Sequence, residues 1–169
     1  MRHFLLANLL ALSIFASTPL AYACTISTDM ADTLPLNATD IPNKARVRIA
    51  EMVLEARNWP NVDIRGIVYA GGYVRERNPS DLAYRRAVAL KAYLIQLGIS
   101  EQNIWVDTRT IKYPDIDNDG RPSLNQIAVT LVPICDGGCE RLCSDPRVTP
   151  TSRALRQGDV RPNPSTEQP

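Results

Sequence analysis

Histidine is all but missing from this chain: of 169 residues only His3 is one, and it stands three residues from the start. Its absence elsewhere removes Ser-His and Cys-His nucleophile pairs and the common zinc ligand sets that need imidazole. Bulky aromatic residues are scarce, with two Phe and two Trp, so the core has to be aliphatic. A charge imbalance is missing as well. Nineteen basic residues face 18 acidic ones for a formal net charge of +1, which offers a polyanion no bulk attraction and argues against a nucleic-acid partner. Beyond the N-terminal segment no apolar run approaches the roughly 20 residues of a membrane span, so none is expected after that segment is removed.

What is present begins with an export signal. Met1-Arg2-His3 is basic, the stretch from Phe4 to Phe15 is apolar but diluted by Asn8 and Ser13, and Pro19 precedes a small-x-small site at Ala21-Tyr22-Ala23. Residues 1–23 are therefore expected to be a signal peptide, cleaved after Ala23, with the mature chain in the periplasm of a bacterial envelope. Cleavage there exposes Cys24, which opens the alternative of an outer-membrane lipoprotein acylated on that cysteine. Against it stand Ala21, where such signals usually carry Leu, and the bulky Tyr22.

All four cysteines, Cys24, Cys135, Cys139 and Cys143, fall in the mature part. An even number in an oxidising compartment reads as disulfides. The spacing from Cys135 through Cys139 to Cys143 matches no common zinc pattern. Two disulfides are expected, tying the N-terminal arm and the C-terminal tail to the sheet, with their pairing left open.

Residues 24–38 show no sustained periodicity and read as an arm, followed by a domain over 39–135. A first helix is expected from Thr39-Asp40-Ile41-Pro42, with Ala45, Ile49, Met52, Val53 and Ala56 on one face. It stops at Trp59-Pro60, because proline pushes the residue before it out of the helical region. A strand follows over Val62–Tyr69, with Ala70-Gly71-Gly72 as a tight exit. Asn78-Pro79-Ser80-Asp81 announces a second helix, carried by Ala83, Ala87, Leu90, Leu94 and Leu97 and ended by Gly98. Ile104–Thr108 and Gln126–Val132 complete the set as strands. The order helix, strand, helix, strand, strand predicts an α/β two-layer sandwich with both helices on one sheet face. Residues 136–169 lose all apolar period and are rich in Pro, Arg, Ser and Thr, so disorder is expected beyond Cys143.

Within this layout Leu82-Ala83-Tyr84-Arg85-Arg86-Ala87, the helix that runs on to Tyr93-Leu94, and Gly98-Ile99 leading to Ile104 form a recognisable series. It resembles the OmpA-like C-terminal domain, the cell-wall-binding module of outer-membrane porin-type proteins and peptidoglycan-associated lipoproteins, over roughly residues 40–134. Asn125 ahead of the last strand is a weaker echo. The resemblance implies the two-layer fold, no cofactor, and a grip on the peptidoglycan stem peptide by an arginine, here Arg86, working with an aspartate. The family's aspartate position falls on Gly71, so the acidic partner is missing there. A zwitterionic amino-acid head needs an anion for its ammonium and a guanidinium for its carboxylate. Glu76 or Asp81 could supply the anion from elsewhere in the mouth formed by residues 70–78 and the start of the second helix.

Two other features call for a reading. Asp115-Ile116-Asp117-Asn118-Asp119-Gly120 matches the opening of a calcium loop, but Gln126 stands where the closing glutamate belongs and Pro122 interrupts the exit. Asp115, Asp117 and Asp119 fit a polar hairpin better, and no metal is assigned. Glu51, Glu55, Glu76 and Asp81 are carboxylates that a glycosidase could use, yet such charges usually coat a solvated helix, and no enzyme is expected. The sequence thus points to a non-catalytic envelope module contacting peptidoglycan or a related component. The alternative is a protein-interaction module that kept the fold and lost the pocket, with an envelope protein as partner.

Overall fold

The structure, a computed structural model, describes residues 24–117 and 119–153. The expected signal segment, Asn118 and residues 154–169 lie outside the described residues. In chain order the elements are β1 (Cys24–Thr25), β2 (Thr28–Asp32), α1 (Asn43–Ala56), β3 (Asp63–Tyr73), α2 (Pro79–Gln96), a 3-10 turn (Glu101–Asn103), β4 (Ile104–Ile111), β5 (Asp115–Ile116), β6 (Pro122–Ser123), β7 (Ile127–Ile134), α3 (Glu140–Cys143) and β8 (Ser152–Arg153). The four-stranded central sheet has the order β2-β7-β3-β4. Its β3–β4 pairing is parallel and the other two are antiparallel.

Both long helices cover one face of this sheet, as the α/β sandwich predicted from the sequence requires. α1 lies over β2 and β7, and α2 over β3 and β4. The apolar stripe read from the sequence is the buried one in α1: Ala45, Ile49, Met52, Val53 and Ala56. These side chains meet Val68, Ala70, Leu90, Leu94, Val129 and Leu131 in a single aliphatic core. Helix α1 starts later than Thr39-Asp40 suggested. Pro42 sits at its N-cap with φ −57° and ψ 147°, extended rather than helical, and its carbonyl accepts the first helical hydrogen bond, from Arg46 N–H at 2.9 Å.

Three expectations are corrected. Ala70-Gly71-Gly72 is not a turn: β3 runs through it to Tyr73, paired on both sides as far as Ala70. Gly72 serves helix packing instead, since a Cβ there would overlap the Pro79 carbonyl where α2 begins, while a Cβ at Gly71 would meet Ile111 of β4. The arm over 24–38 supplies strand β2, whose Thr28 stands opposite Leu131 and Asp32 opposite Ile127. Nor is order lost at once after Cys143: within the described residues 144–153, Val148 is buried in the core and β8 pairs antiparallel with β1.

The reason is covalent as well as apolar. Cys24 is bonded to Cys143 across 119 residues, and Cys135 to Cys139 across four. The first bond fastens the arm to the tail, while the second closes a local loop after β7. Thr151 stitches the same seam, its N–H donating to Thr25 O at 2.8 Å and its hydroxyl to Ser27 O at 2.6 Å.

Candidate functional site

Arg86 lies on the apolar stripe of α2, between Ala83 and Leu90, and its side chain is fully buried. A guanidinium cannot remain charged there unless its donors are filled. Nε donates to Ala38 O at 2.8 Å, Nη1 to Gly71 O at 2.7 Å, and the fork grips Glu76 in bidentate fashion, Nη1 to Oε2 at 2.8 Å and Nη2 to Oε1 at 2.6 Å. Each of these acceptors comes from a different part of the chain: the arm, the end of β3, and the β3–α2 turn.

Glu76 is equally enclosed, its side chain showing no exposed surface. The turn that holds it is closed by Glu76 N–H donating to Tyr73 O at 2.8 Å, which curls the carboxylate inward. Besides Arg86 it accepts from Asn37 N–H at 2.7 Å, Tyr73 N–H at 2.8 Å and the Gln126 amide at 3.3 Å. Gln126 in turn accepts from Leu34 N–H at 2.7 Å through Oε1. Burial by itself raises a carboxyl pKa, but hydrogen bonds from Arg86, Tyr73 and Asn37 outweigh it and hold Glu76 at about 2. The carboxylate is therefore ionised at neutral pH, held by donors from the arm, β3, α2 and Gln126.

The expected site residues separate accordingly. Glu76 meets Arg86; Asp81 does not, because it pairs with Arg85 on the solvent side at 3.0 Å, four residues along the helix. Gly71 touches Arg86 only through its carbonyl. A side chain there would point the other way, against Ile111 and the Tyr69 hydroxyl. The 70–78 segment consequently offers no open mouth at Arg86. The sequence reading missed Asn37, Ala38 and Gln126. The signal that was available is the place of Arg86 inside the apolar stripe, which demands a buried anion.

The aspartates of the calcium-like segment do not converge. They sit on an exposed hairpin, β5–β6, where Asp117 Oδ1 accepts from Asp119 N–H at 3.0 Å and Arg121 N–H at 2.7 Å. Among the described residues no group of three or more His, Cys, Asp or Glu could hold a metal ion, and no helix is long and apolar enough to cross a membrane. Clefts occur at the far end of the sheet, one of about 220 Å³ lined by Pro60, Val62, Cys135, Arg141, Leu142 and Arg147 among others.

Fold and site define a small disulfide-fastened α/β sandwich whose central charged cluster joins the arm, the end of β3, the β3–α2 turn and α2. No family model matches the chain, and no curated protein does either. Among solved structures the chain is similar to the OmpA-like domain of FopA1 from Francisella tularensis subsp. tularensis SCHU S4, at 16% identity and TM-score 0.47, over 63% of this chain and 72% of that one. It is similar to the periplasmic domain of Helicobacter pylori MotB at 15% identity and TM-score 0.48, over 70% and 82%. The peptidoglycan-associated lipoprotein from Burkholderia pseudomallei follows at 13% identity and TM-score 0.45, over 65% and 91%.

Proposed function

We propose that this chain is a non-catalytic, exported module of the bacterial envelope that acts by contacting another envelope protein, its OmpA-like ligand position having been closed from within. The observation that carries this reading is the bidentate bond between Arg86 and Glu76, both without exposed surface. A stem-peptide carboxylate could reach the guanidinium only by expelling the protein's own carboxylate from five hydrogen bonds. Of the two functions expected from the sequence, the interaction module is thus favoured over the peptidoglycan grip.

The non-catalytic part rests on the state of the carboxylates. Glu76 has a pKa of about 2 and no open side, which suits neither a general acid nor a nucleophile, and Glu51 and Glu55 lie on the solvated face of α1. Export is supported by the two disulfides. The Cys24 sulfur, taken up by Cys143, is not available for a thioether-linked lipid, so the periplasmic form is preferred to the lipoprotein.

Co-sedimentation with purified peptidoglycan tests the closed site. The wild-type protein should stay in the supernatant at physiological salt. Saturable pelleting that free diaminopimelate reverses would overturn the reading. Site-specific photo-crosslinking in periplasm should give discrete adducts heavier than two copies of the chain.

A further inference from the structure

Among the described residues strand β4 is an uncovered edge of the central sheet, eight residues long with the sequence Ile-Trp-Val-Asp-Thr-Arg-Thr-Ile. Edge strands are normally protected by Lys, Pro, a bulge or a covering segment. This one contains neither Lys nor Pro, its register with β3 is unbroken from Ile104 to Ile111, and every residue between those two is exposed. Trp105 and Val106 keep 55% and 45% of their surface in solvent.

The direction of its backbone groups follows from one hydrogen bond. Ile111 O accepts from Val74 N–H at 3.0 Å, on the β3 side. Both backbone groups of a strand residue point to the same side, and the sides alternate along the strand. Trp105, Asp107 and Arg109 therefore also bond towards β3, while Val106, Thr108 and Thr110 aim N–H and C=O outward.

We propose that the occupant of this edge is a second copy of the same chain, bound antiparallel through a two-fold axis at Thr108. Pairing the outward-facing residues of two copies puts Thr108 opposite Thr108 and Val106 opposite Thr110. Asp107 then stands opposite Arg109 of the second copy, twice, and Trp105 opposite Ile111. Asp107, Arg109, Trp105 and Ile111 share the sheet face away from the helices, so each pair meets on one side. Among the described residues neither Asp107 nor Arg109 has an intramolecular ion pair; Arg109 instead lies over the Tyr69 ring at 3.9 Å. A slip by one residue in each copy sets Asp107 against Asp107 or Arg109 against Arg109, and like charges directly opposite are unfavourable. Only the register centred on Thr108 sets Asp107 against Arg109 in both halves of the pair.

Helix α2 supports the same partner independently. Its flank away from α1 carries Tyr84, Val88 and Ile95, all exposed. That flank faces the β4 side, because Lys91 on it pairs with Glu101 just ahead of β4 at 2.9 Å, whereas Tyr93 on the opposite flank donates to Arg46 O of α1. In a continuous eight-stranded sheet, with strands about 4.8 Å apart, the two α2 axes would lie about 10 Å apart, the usual distance for packed helices. The apolar stripes of the two copies would then cover each other.

Sedimentation velocity on the purified, oxidised protein should show a monomer–dimer equilibrium. Thr108→Pro removes only an outward N–H, so the fold should survive by circular dichroism while dimerisation weakens by about tenfold or more. Asp107→Arg and Arg109→Asp should each weaken it; mixing those two variants, or combining them in one chain, restores opposite charges and should restore the dimer. A chain monomeric at all accessible concentrations would refute the proposal. So would a dimer indifferent to these substitutions, or one that forms only after residues 154–169 are removed, which would place that segment on the edge. None of these outcomes bears on Arg86 or on peptidoglycan.

Discussion

Replacing Glu76 by Gln keeps the shape of the buried cluster and removes its charge, which makes the cost calculable. Arg86 is left fully buried with two backbone carbonyls and half a partner. The new amide nitrogen also has to face at least one donor, since both Glu76 oxygens accept: Oε1 from Asn37 N–H, Arg86 and Gln126, Oε2 from Tyr73 N–H and Arg86. Breaking a buried ion pair on one side typically costs about 3 to 5 kcal/mol, a large share of the total stability of a domain this size. Urea denaturation of the oxidised protein should therefore show a midpoint markedly lowered with little change in slope. The acid limb supplies a second reading of the same quantity. The folded pKa of about 2 lies below the ordinary 4.5, so this stabilisation is complete above pH 5 and is lost as pH falls towards 2, roughly 3 kcal/mol in all. The Gln variant should be flatter over that range. A loss below about 1 kcal/mol, the size of an exposed pair, together with an unchanged acid limb, would refute the buried-lock account.

Other outcomes follow from the same geometry. Arg85→Ala breaks only a half-exposed pair with Asp81 and should change stability by less than about 1 kcal/mol, whereas Arg86→Ala should match Glu76→Gln; thermal melts separate the two. Gly72→Ala forces a methyl group onto the Pro79 carbonyl and should destabilise by several kcal/mol, roughly as other overpacked sites do, or prevent soluble expression. Removing Cys24–Cys143, which spans 119 residues, should cost about 4 to 5 kcal/mol on a chain-entropy basis, against about 2 kcal/mol for Cys135–Cys139; paired Ser variants in urea melts measure the difference.

Short-range chemistry in the sequence determined the two long helices, three of the strands and their layering. The stripe of Ala45, Ile49, Met52, Val53 and Ala56 could bury itself only as a helix face, and Asn78-Pro79 and Gly98 bracket α2 because their backbone preferences are local. Arg86 was also legible as the residue of interest. Its partner was not, for a buried guanidinium requires an anion without specifying which, and Glu76, Asp81 and a ligand carboxylate satisfied the sequence equally well. Only the tertiary structure decided that Glu76 turns inward, where the Tyr73 turn and Asn37 from the arm supply the donors that overcome its desolvation. The same holds for β2 and for residues 144–153. Neither has an apolar period of its own, and each is ordered by partners about a hundred residues away, across the β7 ladder and the Cys24–Cys143 bond. Such contacts arise once the chain has closed on itself, and the stabilisation they add is a property of the assembled surfaces rather than of the segments that contribute to them.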